Sequence, residues 1–148
     1  MKKACLLISL LLLLNIIQAQ ASGIYDSLDQ NTKQLIQKSI GIQEKIKTCT
    51  PAQVNYSPGG ITVYGMKNGL CEFRVSSSDT TLTNSKTNET VNTSNCNYKI
   101  TASEAQKYAN YNIKLIKALY QINGVTISDS EAEVMGDYLF NLAKKYCN

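Results

Sequence analysis

The residues with the most reactive side chains are the cysteines, and their pattern points to cross-linking, not catalysis. Cys49, Cys71, Cys96 and Cys147 are widely spaced, no Cys-x-x-Cys pair occurs, and the chain contains no histidine that would activate a thiol. Lack of histidine also removes Ser-His-Asp and Cys-His nucleophile systems and most zinc sites. Neither Ser-x-x-Lys nor a Gly-rich phosphate loop is present. No cofactor and no metal are therefore expected.

What remains for catalysis is carboxylate, tyrosine or lysine chemistry. A glycan-cleaving hydrolase of the cell envelope would need two of Glu72, Asp79, Glu104, Glu131 and Asp137 to converge at about 5 to 10 Å, one with its pKa raised by burial. Glu131 and Glu133 are close in sequence, but a place at the start of a helix already accounts for them as partners of its positive end. Glu72 beside Arg74 reads as part of a solvated sheet face. Non-catalytic binding is the first expectation and the carboxylate-pair hydrolase the alternative.

For binding, the chain offers nine tyrosines against two phenylalanines and no tryptophan. Tyrosine is an amphipathic contact residue that costs little side-chain entropy to fix. Tyr108 and Tyr111 on a helix, and Ile61, Val63 and Arg74 on a sheet face, are the candidate contact residues for a protein or glycan partner of unknown identity. Nucleic acid is not expected, because Arg74 is the only arginine and removing Lys2 and Lys3 with a leader lowers the formal charge from +4 to +2.

That leader is read from Lys2 and Lys3, the apolar run Leu6 to Leu14, Ile16, Ile17 and the small-residue pattern Ala19-Gln20-Ala21. Residues 1–21 are expected to be a cleavable secretory signal, leaving 22–148 as one exported domain, periplasmic or extracellular, with no membrane span. Cys5 would leave with the signal. Export to an oxidising space makes two disulfides the natural state of the other four cysteines. Of the three connectivities, Cys71–Cys96 and Cys49–Cys147 are favoured: the first pair takes same-facing positions on neighbouring strands, and the second would tie two helix ends together.

The elements that must hold these residues follow from periodicity. Leu28, Leu35 and Ile42, widened by Ile36 and Ile46, mark an amphipathic helix over about 27–47, with Ser27 and Gln30 as its capping box. Pro51 stops it. Two runs, Ile61 to Met66 and Leu70 to Ser76, flank Asn68-Gly69, a strong hairpin signal. A two-residue loop there places Thr62, Tyr64, Met66, Cys71, Phe73 and Val75 on one face, the core face, and Ile61, Val63, Gly65, Glu72 and Arg74 on the outer one. Cys96, Tyr98 and Ile100 alternate in a further strand. Thr101 with Glu104 and Ser128 with Glu131 are capping boxes opening two C-terminal helices. The fold class is α+β: an N-terminal helix, an antiparallel sheet of three to four strands, two C-terminal helices packed on the sheet, and two disulfides.

Between the strands, residues 76–95 are fifteen parts Ser, Thr and Asn in twenty. So polar a stretch is expected to form a long hairpin tip or mobile loop, and excision of Thr80 to Thr93 to leave the fold nearly unchanged. Asn55-Tyr56-Ser57, Asn88-Glu89-Thr90 and Asn92-Thr93-Ser94 match the glycosylation pattern. They carry meaning on a eukaryotic secretory route and none on a bacterial one.

Overall fold

The computed structural model describes residues 25–78 and 81–147. The expected signal segment, Cys5 and Asp79 lie outside them. Helix α1 spans Gln30–Lys47 and is capped by Asp29, whose carboxylate accepts from the Thr32 amide at 2.9 Å. Ser27, expected to cap this helix, instead ends a separate 3-10 turn, Tyr25–Ser27. Asp29 outcompetes it because its charged side chain reaches the free amides of the first turn. Ile36, Ile42 and Ile46 form the buried stripe of α1.

Strands β1 (Ala52–Asn55), β2 (Gly59–Lys67), β3 (Leu70–Ser77) and β6 (Asn95–Ile100) make one sheet in the order β1-β2-β3-β6. Every neighbouring pair is antiparallel. β4 (Thr81–Thr83) and β5 (Thr90–Asn92) pair as a small ribbon that prolongs the β3–β6 hairpin. Helices α2 (Ala102–Leu119) and α3 (Asp129–Tyr146) follow, and both expected capping boxes are formed. The architecture is α+β, with helices on one face of a four-stranded antiparallel sheet.

The core joins the inward sheet residues Ile61, Val63, Phe73, Val75, Tyr98 and Ile100 to Tyr108 and Leu115 of α2 and to Met135, Leu139 and Phe140 of α3. At its centre Phe73 stacks on Tyr98 with ring centroids 4.7 Å apart, and Tyr108 closes on both at 5.2 and 5.3 Å. Such aromatic contacts add to the burial of large apolar area. A second, smaller cluster of Ile36, Ile116 and Tyr120 ties the start of α1 to the end of α2, where the Tyr25 amide donates to the Tyr120 carbonyl at 3.1 Å.

Two further expectations are corrected. The disulfides are Cys49–Cys71 and Cys96–Cys147, not Cys71–Cys96 and Cys49–Cys147. In the antiparallel pair, Cys71 faces Ile100 and Cys96 faces Val75, so the two cysteines stand at opposite ends of their strands. Four residues of strand is about 13 Å, beyond the reach of a disulfide. Cys49 instead turns back from the end of α1 at φ 50 to meet Cys71 at the start of β3. The C-terminus returns along β6, where Cys147 forms a bridge to Cys96.

The hairpin register also differs. Met66 does face Cys71, but the register slips between Val63 and Gly65, so Val63 faces Phe73 and Ile61 faces Val75. Tyr64 is the extra residue of a bulge, made possible by Gly65 at φ +93, where an added Cβ would press on the Pro51 ring at 3.1 Å. The slip turns Ile61 and Val63 into the core, moves Thr62 from the expected core face to the outer one and leaves Tyr64 44% exposed; Met66, on the turn side of the slip, keeps its expected pairing with Cys71 and is 50% exposed.

Of the two forms expected for the polar stretch, the structure shows the hairpin tip, and it is anchored to the domain. Leu82 is buried in the core, Val91 packs against it, and Thr93 is buried. At the turn the Asn84 carboxamide accepts from the Lys86 amide at 2.9 Å. Lys86 then meets Glu133 and Asp137 of α3, and Lys144 of α3 meets Glu89 at 2.8 Å.

Candidate functional site

The residues expected to bind a partner do not come together. Ile61 and Val63 are 4% and 2% exposed in the core, so the outer patch assigned to them does not form; the bulge at Tyr64 is the cause. Tyr108 is buried in the aromatic core at 2% exposure. Arg74 is exposed and Tyr111 half-buried against the core, on different elements.

Arg74 lies on the sheet face turned away from the helices. Because strand side chains alternate, the paired positions Gln53, Thr62, Arg74 and Asn97 form one row across all four strands. A parallel row runs through Asn55, Gly60, Ser76 and Asn95. Gln53, Asn55, Arg74 and Asn97 are all exposed, so no described element covers this face. The Arg74 guanidinium donates from Nε to the Asn95 carboxamide oxygen at 2.9 Å, which ties the side chain across to β6. Toward the Asn68-Gly69 turn, Glu72 sits between Lys67 at 3.8 Å and Lys99 at 3.5 Å. The face thus carries amides, hydroxyls and a small positive excess. Tyr64 stands at the bulge on the same strand as Thr62, with the Lys67 ammonium 5.3 Å from its ring centre.

Sequence reasoning missed Tyr64 as an exposed residue, although a signal was present. A glycine inside an otherwise regular strand marks a bulge, and Gly65 was such a glycine.

Tyr111 belongs to a second surface between α2 and α3. It meets Tyr138 edge-on at 5.3 Å, and the Lys107 ammonium lies 4.5 Å from the Tyr138 ring centre and 5.6 Å from that of Tyr111. Tyr138 donates to the Glu104 carbonyl at 3.2 Å. Burial, aided by the Glu104 charge, pushes the Tyr138 hydroxyl up to about 12. These contacts join two helices, and most of both rings is spent on each other and on the lysine.

The carboxylates named for hydrolysis are engaged separately. Glu104 accepts from the Thr101 amide and hydroxyl, which hold its carboxyl below the ordinary value. Glu131 is lowered by Lys114 at 2.7 Å and by the Ser128 amide. Asp137 shares Lys86 with Glu133, and the two hold that lysine up at about 12. Glu72 is bracketed by two lysines. Among the described residues, no group of three or more Cys, Asp or Glu side chains is placed to hold a metal ion, and no helix is long and apolar enough to cross a membrane. No family model, no characterised protein and no solved structure matches this chain.

Proposed function

We propose that this chain is a small exported, non-catalytic binding protein whose contact surface is the outer face of the sheet. The observation that carries this reading is the uncovered row Gln53, Thr62, Arg74 and Asn97, a polar surface on a disulfide-anchored scaffold. Its chemistry favours a polyhydroxylated ligand, a glycan, over a protein. Planar amides and a guanidinium pair well with sugar hydroxyls, and an exposed tyrosine at the edge offers a ring for the apolar side of a sugar. A protein interface draws its affinity from an apolar or aromatic centre, and here the centre of the face is polar.

Export is supported by two disulfides, which persist in oxidising compartments. The hydrolase alternative asks for a carboxyl raised by burial, whereas two of its named candidates, Glu104 and Glu131, shift downward through hydrogen bonds or a lysine. The experiment is an array of immobilised oligosaccharides probed with the oxidised protein, with Arg74→Glu and Asn97→Asp as comparators. Retention of a subset of glycans that both variants lose supports the reading. Retention unaffected by both variants overturns the assignment of this face.

A further inference from the structure

We infer that the β4–β5 ribbon is a modification site, with Asn88 and Asn92 accepting N-linked glycans. The inference rests on the exported reading above, and its experiment is arranged so that the two can fail separately. An acceptor asparagine needs a hydroxyl residue two positions on and a side chain that stays outside the folded domain, because a hydrated oligosaccharide cannot be buried. Both ribbon motifs, Asn88-Glu89-Thr90 and Asn92-Thr93-Ser94, meet these conditions.

Asn88 is exposed in the turn between β4 and β5, at φ 56, and Thr90 is exposed at the start of β5. Glu89 between them is held by Lys144, so the tip is kept in place while Asn88 projects from it. Asn92 is exposed too, and its side-chain oxygen accepts from the Ser94 amide at 2.8 Å. That bond folds the three-residue motif on itself and brings the Ser94 hydroxyl residue back toward the Asn92 amide. Buried Leu82 fixes the ribbon to the core from beneath, leaving the sugar-bearing side to solvent.

Asn55 is different. Asn55 and Ser57 are exposed too, but Asn55 belongs to the outer sheet face proposed above as the contact surface, which a glycan would cover. The assignment is therefore limited to the ribbon.

The reaction is a group transfer with no redox change. The asparagine side-chain nitrogen forms a bond to the anomeric carbon of an oligosaccharide carried on a lipid pyrophosphate. The bond from that carbon to the pyrophosphate oxygen breaks, the lipid pyrophosphate leaves, and one amide proton passes to a base of the host transferase.

For the experiment, the full chain is expressed in a eukaryotic cell in two arms, as it stands and with a host leader fused ahead of Met1. Secreted protein is treated with a peptide N-glycosidase in heavy-oxygen water and mapped by mass spectrometry. The expected result is conversion of Asn88 and Asn92 to labelled aspartate, with Asn88→Gln and Asn92→Gln each removing one glycan step on a gel. Recovery of either asparagine unconverted overturns the assignment at that site, and conversion at Asn55 alone overturns it altogether. Failure to secrete only in the first arm contradicts the exported reading, while the second arm still decides the glycan sites.

Discussion

Leu82→Ala separates an anchored ribbon from a solvated spacer. Leu82 is 7% exposed, sits opposite Val91 in the ribbon, and joins the main core through its side chain. Removing a buried leucine side chain to alanine costs about 2 to 5 kcal/mol, the larger values where the surroundings cannot close over the cavity. A two-stranded ribbon is able to sink inward, which places the expected loss at about 2 to 3 kcal/mol. The ion pairs that also join the ribbon to α3 involve side chains about half exposed, such as Lys86 at 52% and Lys144 at 53%. Exposed pairs contribute little once side-chain entropy and screening are counted. Urea unfolding should therefore give a lower midpoint and an unchanged slope for Leu82→Ala, and an unchanged midpoint for Lys86→Met with Lys144→Met. Replacing residues 81–93 by a short Gly-Ser linker should cost at least as much as Leu82→Ala. A loss below about 1 kcal/mol for Leu82→Ala, with a larger drop for the lysine variant, would refute the apolar anchor.

Peptide mapping without reduction should recover Cys49 joined to Cys71 and Cys96 joined to Cys147, with intervals of 22 and 51 residues. On the loop-closure model these links contribute about 3.4 and 4.1 kcal/mol, so reduction of the second should be the more destabilising; recovery of Cys71 joined to Cys96 would contradict the strand register. The buried tyrosines make a prediction at alkaline pH. Burial raises the Tyr98 and Tyr108 hydroxyls above the ordinary value near 10. Their folded pKa values exceed the unfolded ones, so the stability they support is complete below about pH 10 and is lost as pH rises beyond it and the unfolded chain sheds protons first. Tyrosinate absorbance should show Tyr98 and Tyr108 ionising only with unfolding, and full titration near pH 10 with the fold intact would refute their burial.

How far the sequence carried the fold depended on the distance over which each signal acts. The capping boxes at Thr101 and Ser128 were legible because hydroxyl and carboxylate lie three residues apart and need no tertiary partner. The Asn68-Gly69 turn was legible for the same reason, with both residues at positive φ. The face of β2 was not, because period-2 counting assumes an uninterrupted strand, and one bulge residue at Tyr64 exchanges the two faces beyond it. Ile61 and Val63 therefore moved from candidate surface to core. The cysteine pairing failed because facing was judged without position along the strand, a quantity set by the long-range register of Cys71 with Ile100. Composition misled at Leu82 and Val91, two apolar residues that suffice to anchor an otherwise polar ribbon because both land on the core. At the candidate site, Arg74 was legible as an exposed sheet residue, while its row with Gln53 and Asn97 required the edge strand β1, which no sequence signal marked.

The central claim is that the outer sheet face is the contact surface. Its most direct measurement is an amide chemical-shift map of the isotope-labelled oxidised protein, titrated with oligosaccharides selected on the array. Shifts are expected to concentrate at Gln53, Thr62, Arg74 and Asn97, with the Glu104, Tyr111 and Glu131 amides on the helical side unmoved. Shifts centred on α2 and α3 that spare Arg74 would contradict it.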